Sequence, residues 1–124
     1  MEHSAGFLAV VNDAKSRINE ISIEQYQADY ANTPHVLIDV REDNEWQKGA
    51  IAGARHLGKG ILERDIEQRQ PDKNEVLVLY CGGGFRSALA ADMLVKMGYL
   101  NVVSLDGGFH RWQELNLPTV RVAP

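Results

Sequence analysis

Residues 75–87 read EVLVLYCGGGFRS, and this stretch decides the fold. Glu75–Tyr80 is an apolar, valine- and leucine-rich run, with the turn formers Gln70-Pro71-Asp72 before it and glycines directly after it. That is the clearest strand pattern in the sequence. Beyond the glycines, Leu89, Met93, Leu94 and Met97 recur at helical spacing, and Gly98 stands where a helix is expected to close. The stretch is therefore a strand, a tight loop and a helix in direct succession.

Working outward, the same grammar repeats. His35–Val40 (HVLIDV) and Asn101–Leu105 (NVVSL) are further strand candidates, and Glu20–Ser22 and Ala54–Leu57 are shorter ones. Helices are expected over residues 1–18, from Ser22 to about Tyr30, around Asp43–Lys48, over Ile61–Gln68 and over Phe109–Leu115. Ser22 can cap its helix, and Thr33-Pro34 stops it. A turn at Asp106-Gly107-Gly108 precedes the last one. Strands alternating with helices on short links predict an α/β domain with a mostly parallel sheet.

The chain has 124 residues, which suits one domain. It divides into an N-terminal helical extension (1–18) and the domain proper (19–124). In the extension Phe7, Val11, Ala14 and Ile18 share one helical face. That face is expected to pack on the domain's own surface, with a homodimer or partner contact as the alternative.

Composition narrows the function classes. Hydrophobic residues make up 44% and charged residues 24%, as in ordinary globular proteins. The net charge is −4 and no Lys/Arg run exceeds two residues, so a nucleic-acid partner is not expected. No apolar stretch approaches the roughly 18 residues of a membrane span. Ala5–Val11 is apolar but lacks a basic start, and Asp13 and Lys15 follow it, so it does not fit a signal peptide. A cytoplasmic location is the expectation. The single cysteine permits no internal disulfide, which turns attention to its thiol.

Cys81 falls at the carboxyl end of the clearest strand, where open α/β sheets place their ligands. Three features there favour a negatively charged sulfur. The helix beginning near Arg86 presents unpaired N–H groups and its dipole. The glycines let the backbone curl through positive φ, so that N–H groups converge on an anion. Arg86 adds a positive charge. A thiolate so placed suits attack on an electrophilic sulfur and retention of the persulfide formed. The plain alternative, a buried packing cysteine, leaves three glycines and an arginine without a reason.

Two other chemistries use a strand–loop–helix. A dinucleotide fingerprint wants a third glycine where Ser87 stands, and it leaves Cys81 and Arg86 unused. Cysteine-dependent phosphatases and arsenate reductases generally separate Cys and Arg by one residue more than the four found here, Gly82 to Phe85. The shorter ring leaves less room than phosphate needs and favours sulfur. The four histidines, His3, His35, His56 and His110, show no metal-ligand spacing, and no metal or cofactor is expected. His110 is expected at the surface.

These residues resemble the rhodanese-type domains. Cys81 to Ser87 is similar to their active-site loop, commonly C-x-x-G-x-R-S. Leu37-Ile38-Asp39-Val40-Arg41 resembles the family's I-D-V-R, and Glu45-Trp46 its acidic–aromatic pair. Gly49 to Ala54 is similar to G-H-I-P-G-A, although Ala50 stands where His is usual and Ala52 and Gly58 stand where prolines are common. Gly107-Gly108-Phe109 with Trp112, then Leu117-Pro118, resembles the closing pattern. The likeness covers about residues 20–119.

The resemblance implies a central sheet of about five strands flanked by helices. It implies a sulfurtransferase in which Cys81 cycles between thiolate and persulfide, taking sulfur from thiosulfate or a protein persulfide and passing it to a thiol or carrier protein. Backbone N–H groups of Gly82, Gly83, Gly84, Phe85, Arg86 and Ser87 would hold the sulfur, with Arg86 orienting the loop or screening the donor's charge. Asp39 and Arg41 would brace nearby loops. Arg86 is the loop's only basic side chain, whereas rhodaneses efficient with thiosulfate often carry basic residues early in it, so a protein-borne donor is favoured. The alternative function is a carrier or regulatory module that docks a partner through residues 1–18.

Overall fold

The computed structural model describes residues 3–122. Helix α1 spans Ala5–Lys15, and its N-cap Ser4 accepts the Phe7 N–H on Oγ at 3.3 Å. Strand β1 (Asn19–Ile21) follows. A capping box between Ser22 and Gln25 then starts the short α2 (Ile23–Gln25). Strand β2 is Val36–Asp39, helix α3 is Asp43–Gln47, and β3 and β4 are the two-residue strands Ala50–Ile51 and Arg55–His56. The remaining elements are α4 (Lys59–Arg69), β5 (Leu77–Tyr80), α5 (Phe85–Lys96), β6 (Val102–Leu105), α6 (Gly108–Glu114) and β7 (Thr119–Val120).

Five strands form one all-parallel sheet in the order β1-β6-β5-β2-β4. The apolar β5 takes the centre, with both neighbours paired and all four of its residues buried. Alternation along it divides the core in two. Leu77 and Leu79 point to the side covered by α4 and α5, where they meet Leu62, Ile66, Ala91 and Leu94. Val78 and Tyr80 point to the other side, toward Ile23, Phe109 and Trp112 of α2 and α6. Cys81, one step past the strand, keeps the phase of Leu77 and Leu79 and so falls on the α5 side.

The expected α/β architecture is the observed one, with differences of detail. The helix expected from Ser22 to Tyr30 keeps α-geometry only to Gln25 and widens into a π-turn over Tyr26–Tyr30, where the Ala31 N–H reaches back to the Tyr26 carbonyl. Strands β3 and β7 were not expected. They pair antiparallel, Ala50 with Val120 and Ile51 with Thr119, and two-residue strands have no periodicity to betray them. Helix α1 is shorter than the expected 1–18, and residues 1 and 2 of that span lie outside the described residues.

Helix α1 lies against α5. Val11 and Ala14, from its apolar face, are fully buried within the chain. Beyond its end, Arg17 donates from Nε and Nη2 to both carboxylate oxygens of Asp92 on α5, each at 2.8 Å. Asp92 is itself buried, and Arg17 holds its carboxyl below the usual range. Val11→Ala removes two buried methyl groups, so it is expected to lower unfolding free energy by about 2 kcal/mol in a urea titration. A helix hanging free of the domain would show no change.

Candidate active site

The loop between β5 and α5 wraps the sulfur of Cys81. The Gly84 N–H donates to Sγ at 3.2 Å and the Ser87 N–H at 3.3 Å. Ser87 Oγ lies 3.6 Å from Sγ and 2.7 Å from Ser104 Oγ, all in the buried interior. Of the three consecutive glycines only Gly84 adopts positive φ, at +105°, where it turns the chain into α5. The expectation that the glycines share this role is corrected accordingly. At Gly82 a Cβ would lie 3.2 Å from Arg86 Nη2, a close approach to the tip of that side chain, whereas Gly83 faces open room.

The loop is fixed from the far side by the turn after β6. The Phe109 N–H donates to the Cys81 carbonyl at 2.8 Å, and the His110 N–H to the Gly82 carbonyl at 3.0 Å. Gly108, at φ +51°, comes so close that a Cβ would strike the Cys81 carbonyl oxygen and lie 2.8 Å from that of Gly82. Asp39 and Arg41 stand beneath this contact and do not line the cleft at Cys81. Arg41 donates from Nη2 to Oδ2 of buried Asp39 at 2.8 Å, from Nε to its Oδ1 at 3.1 Å, and to the Gly49 carbonyl at 2.7 Å. Its guanidinium lies 4.2 Å from the centre of the Phe109 ring.

Arg86 faces Cys81 across the cleft but is not free. Its Nη1 and Nη2 donate to Glu45 Oε1 and Oε2 at 2.6 and 3.0 Å. Hydrogen bonding to Arg86 pulls the Glu45 carboxyl down to about 2, against partial burial. Glu45 also accepts the Glu42 N–H at 3.1 Å, closing the capping box of α3.

A cleft of about 840 Å³ opens over the sulfur. Its walls include His3, Ser4 and Phe7 from the N-terminal segment, Glu45, Phe85, Arg86 and His110. Cys81 at its floor is 1% exposed. Sequence reasoning did not assign Glu45, Ser104 or the N-terminal residues to this place. The acidic–aromatic pair at Glu45-Trp46 was the one signal available. His110 is exposed, and it also borders the cleft. Among the described residues no group of three His, Cys, Asp or Glu side chains is gathered closely enough to hold a metal ion.

The rhodanese-like domain profile matches residues 22–115, about three quarters of the chain. The chain belongs to the rhodanese-like domain family. This rhodanese-like chain is 39% identical over 80 residues to the thiosulfate sulfurtransferase GlpE of Shewanella oneidensis, covering 64% of this chain and 77% of that one. Its fold matches the polysulfide-sulfur transferase homodimer of Wolinella succinogenes with a TM-score of 0.77 at 29% identity, covering 94% and 88% of the two chains. A protein of unknown function from Rhodopseudomonas palustris, described as a possible tyrosine phosphatase, matches with a TM-score of 0.74 at 28% identity, covering 95% and 96%.

Two outcomes follow from this geometry. Gly108→Ala forces a Cβ into the carbonyls of the loop at a left-handed φ, and is expected to cost about 3 kcal/mol in denaturant unfolding. Glu45, whose carboxyl is depressed in the folded chain, contributes stability above its ordinary value of 4.5 and loses it as pH falls toward about 2. Unfolding curves should therefore show the gap between wild type and Glu45→Gln narrowing from pH 5 to pH 2.

Proposed function

We propose that this chain is a sulfurtransferase that moves sulfane sulfur through a persulfide on Cys81. The observation that carries the reading is the pair of backbone N–H groups, Gly84 and Ser87, aimed at Sγ on the floor of a cleft. The kinship with a thiosulfate sulfurtransferase and a polysulfide-sulfur transferase supports the same chemistry. The loop's C-x4-R spacing favours it over phosphoryl transfer.

The reaction has two halves. The Cys81 thiolate attacks the outer sulfur of a donor such as thiosulfate. A bond forms between Sγ and that sulfur, the donor's S–S bond breaks, and sulfite leaves with the electron pair. An acceptor thiolate or cyanide then attacks the outer sulfur, and Cys81 departs as thiolate. Both halves keep a negative charge on sulfur next to fixed N–H donors, which need no rearrangement between the two states. A protein persulfide is the alternative donor, and a thiol or a carrier protein the natural acceptor. A reducing cytoplasm suits a lone thiol that must stay unpaired by disulfide.

The alternative use, a carrier docking a partner through residues 1–18, is less favoured because Val11 and Ala14 of that segment's apolar face are spent on α5. Intact mass spectrometry after incubation with thiosulfate or polysulfide tests the proposal. The expected result is a gain of one sulfur atom, removed by cyanide or dithiothreitol and absent in Cys81→Ser. Wild type that gains no sulfur from any sulfane donor refutes it.

A further inference from the structure

The cleft above Cys81 has a character that the reaction does not require. Arg86 is the only Lys or Arg among the described residues that line it, and both terminal nitrogens of that side chain are committed to Glu45. A carboxylate therefore stands in the cleft where a dianionic donor needs positive charge. The same cleft carries an aromatic wall. His3 packs edge-on to Phe85 with ring centres 4.6 Å apart, Phe7 lies 5.1 Å from His3, and Phe7 and Phe85 are 6.4 Å apart. His3 and His110 add two imidazole rings to the lining. Lys15 does not line the cleft; its Nζ lies 5.1 Å from the centre of the Phe85 ring and is paired with Glu20 at 3.3 Å.

We infer that the site selects donors whose sulfane sulfur is borne on an apolar or aromatic organic group with at most one negative charge, that Phe7 and Phe85 contact that group, and that Glu45 discriminates against thiosulfate. This rests on the sulfurtransferase reading and names its substrate class. An organic thiosulfonate, R–SO2–S⁻, has the required chemistry. Cys81 Sγ bonds to its terminal sulfur, the S–S bond breaks, and the sulfinate R–SO2⁻ leaves with the electron pair. One negative charge enters with the donor and one leaves with the sulfinate, so Cys81 gains only the neutral sulfur atom and remains an anion.

Three donors separate charge from ring contact: thiosulfate, methanethiosulfonate and benzenethiosulfonate. The readout is the rate of sulfur loading on Cys81 by intact mass, expressed as ratios between donors, so that each donor's intrinsic reactivity cancels between wild type and variant. Glu45→Gln keeps an acceptor for the Glu42 N–H and removes the charge. It should raise the thiosulfate-to-methanethiosulfonate ratio about tenfold. Phe7→Ala should lower the benzenethiosulfonate-to-methanethiosulfonate ratio about five- to tenfold, and Phe7→Leu, the gentler change to the helix, by a smaller factor in the same direction. Either ratio unmoved in its variants overturns the inference while leaving the sulfurtransferase reading intact. Failure of wild type to load from all three donors while it loads from polysulfide overturns the inference alone, and failure with polysulfide as well overturns both.

Discussion

Two backbone hydrogen bonds, from Phe109 and His110 to the carbonyls of Cys81 and Gly82, govern how the sulfur is held. A peptide unit is planar and trans, so a carbonyl fixed toward α6 sends the N–H of the same unit the opposite way. Anchoring these two carbonyls thus aims the N–H groups of Gly82 and Gly83 away from α6, while the chain goes on to bring Gly84 and Ser87 N–H to Sγ. The contact is possible because β6 lies beside β5, so the turn that ends β6 lands on the loop that ends β5. It also demands glycine at 108, where the two backbones meet with no space for a side chain. Arg41, held by Asp39 and placed over Phe109, supports the same contact from below.

The nitrogen donors that meet Sγ are therefore backbone N–H groups. Arg86 keeps its charge near Cys81, yet the Glu45 carboxylate meets that charge in a paired geometry and reduces what reaches the cleft. Fixed N–H dipoles, unlike an arginine, act over a short range and favour charge on the bound sulfur more than charge on a distant part of the donor. On the proposed sulfurtransferase reading, such a loop holds the persulfide through its backbone and leaves recognition of the donor to the walls of the cleft.

What was legible in the sequence was what is local along the chain. β5, its loop and α5 are contiguous, and their apolar runs, glycines and closing Gly98 announce a strand, a turn and a helix without reference to anything distant. The parallel sheet followed from alternation of such units. The partners that complete the site are far away in sequence: Glu45 lies 41 positions from Arg86, and Ser104 lies 17 from Ser87. A carboxylate or a serine has no pattern that predicts which distant residue it will meet. The pairing of Ala50–Ile51 with Thr119–Val120 was hidden for the same reason, and the π-turn at Tyr26–Tyr30 because helix-forming residues look alike in either winding.

The N-terminal helix shows how far the site extends beyond the family's shared core, whose match begins at residue 22. Helix α1 meets α5 along its length: its Phe7 ring stands near Phe85 at the start of α5, Val11 and Ala14 are buried in the middle, and Arg17 grips Asp92 further along. Helix α5 is also the element whose first turn supplies the Ser87 N–H to the sulfur. A displacement of α1 would therefore be felt at the cleft wall and on the helix that carries the loop. Within one family fold, the loop surrounds the cysteine sulfur and a segment outside the shared core walls the cleft above it.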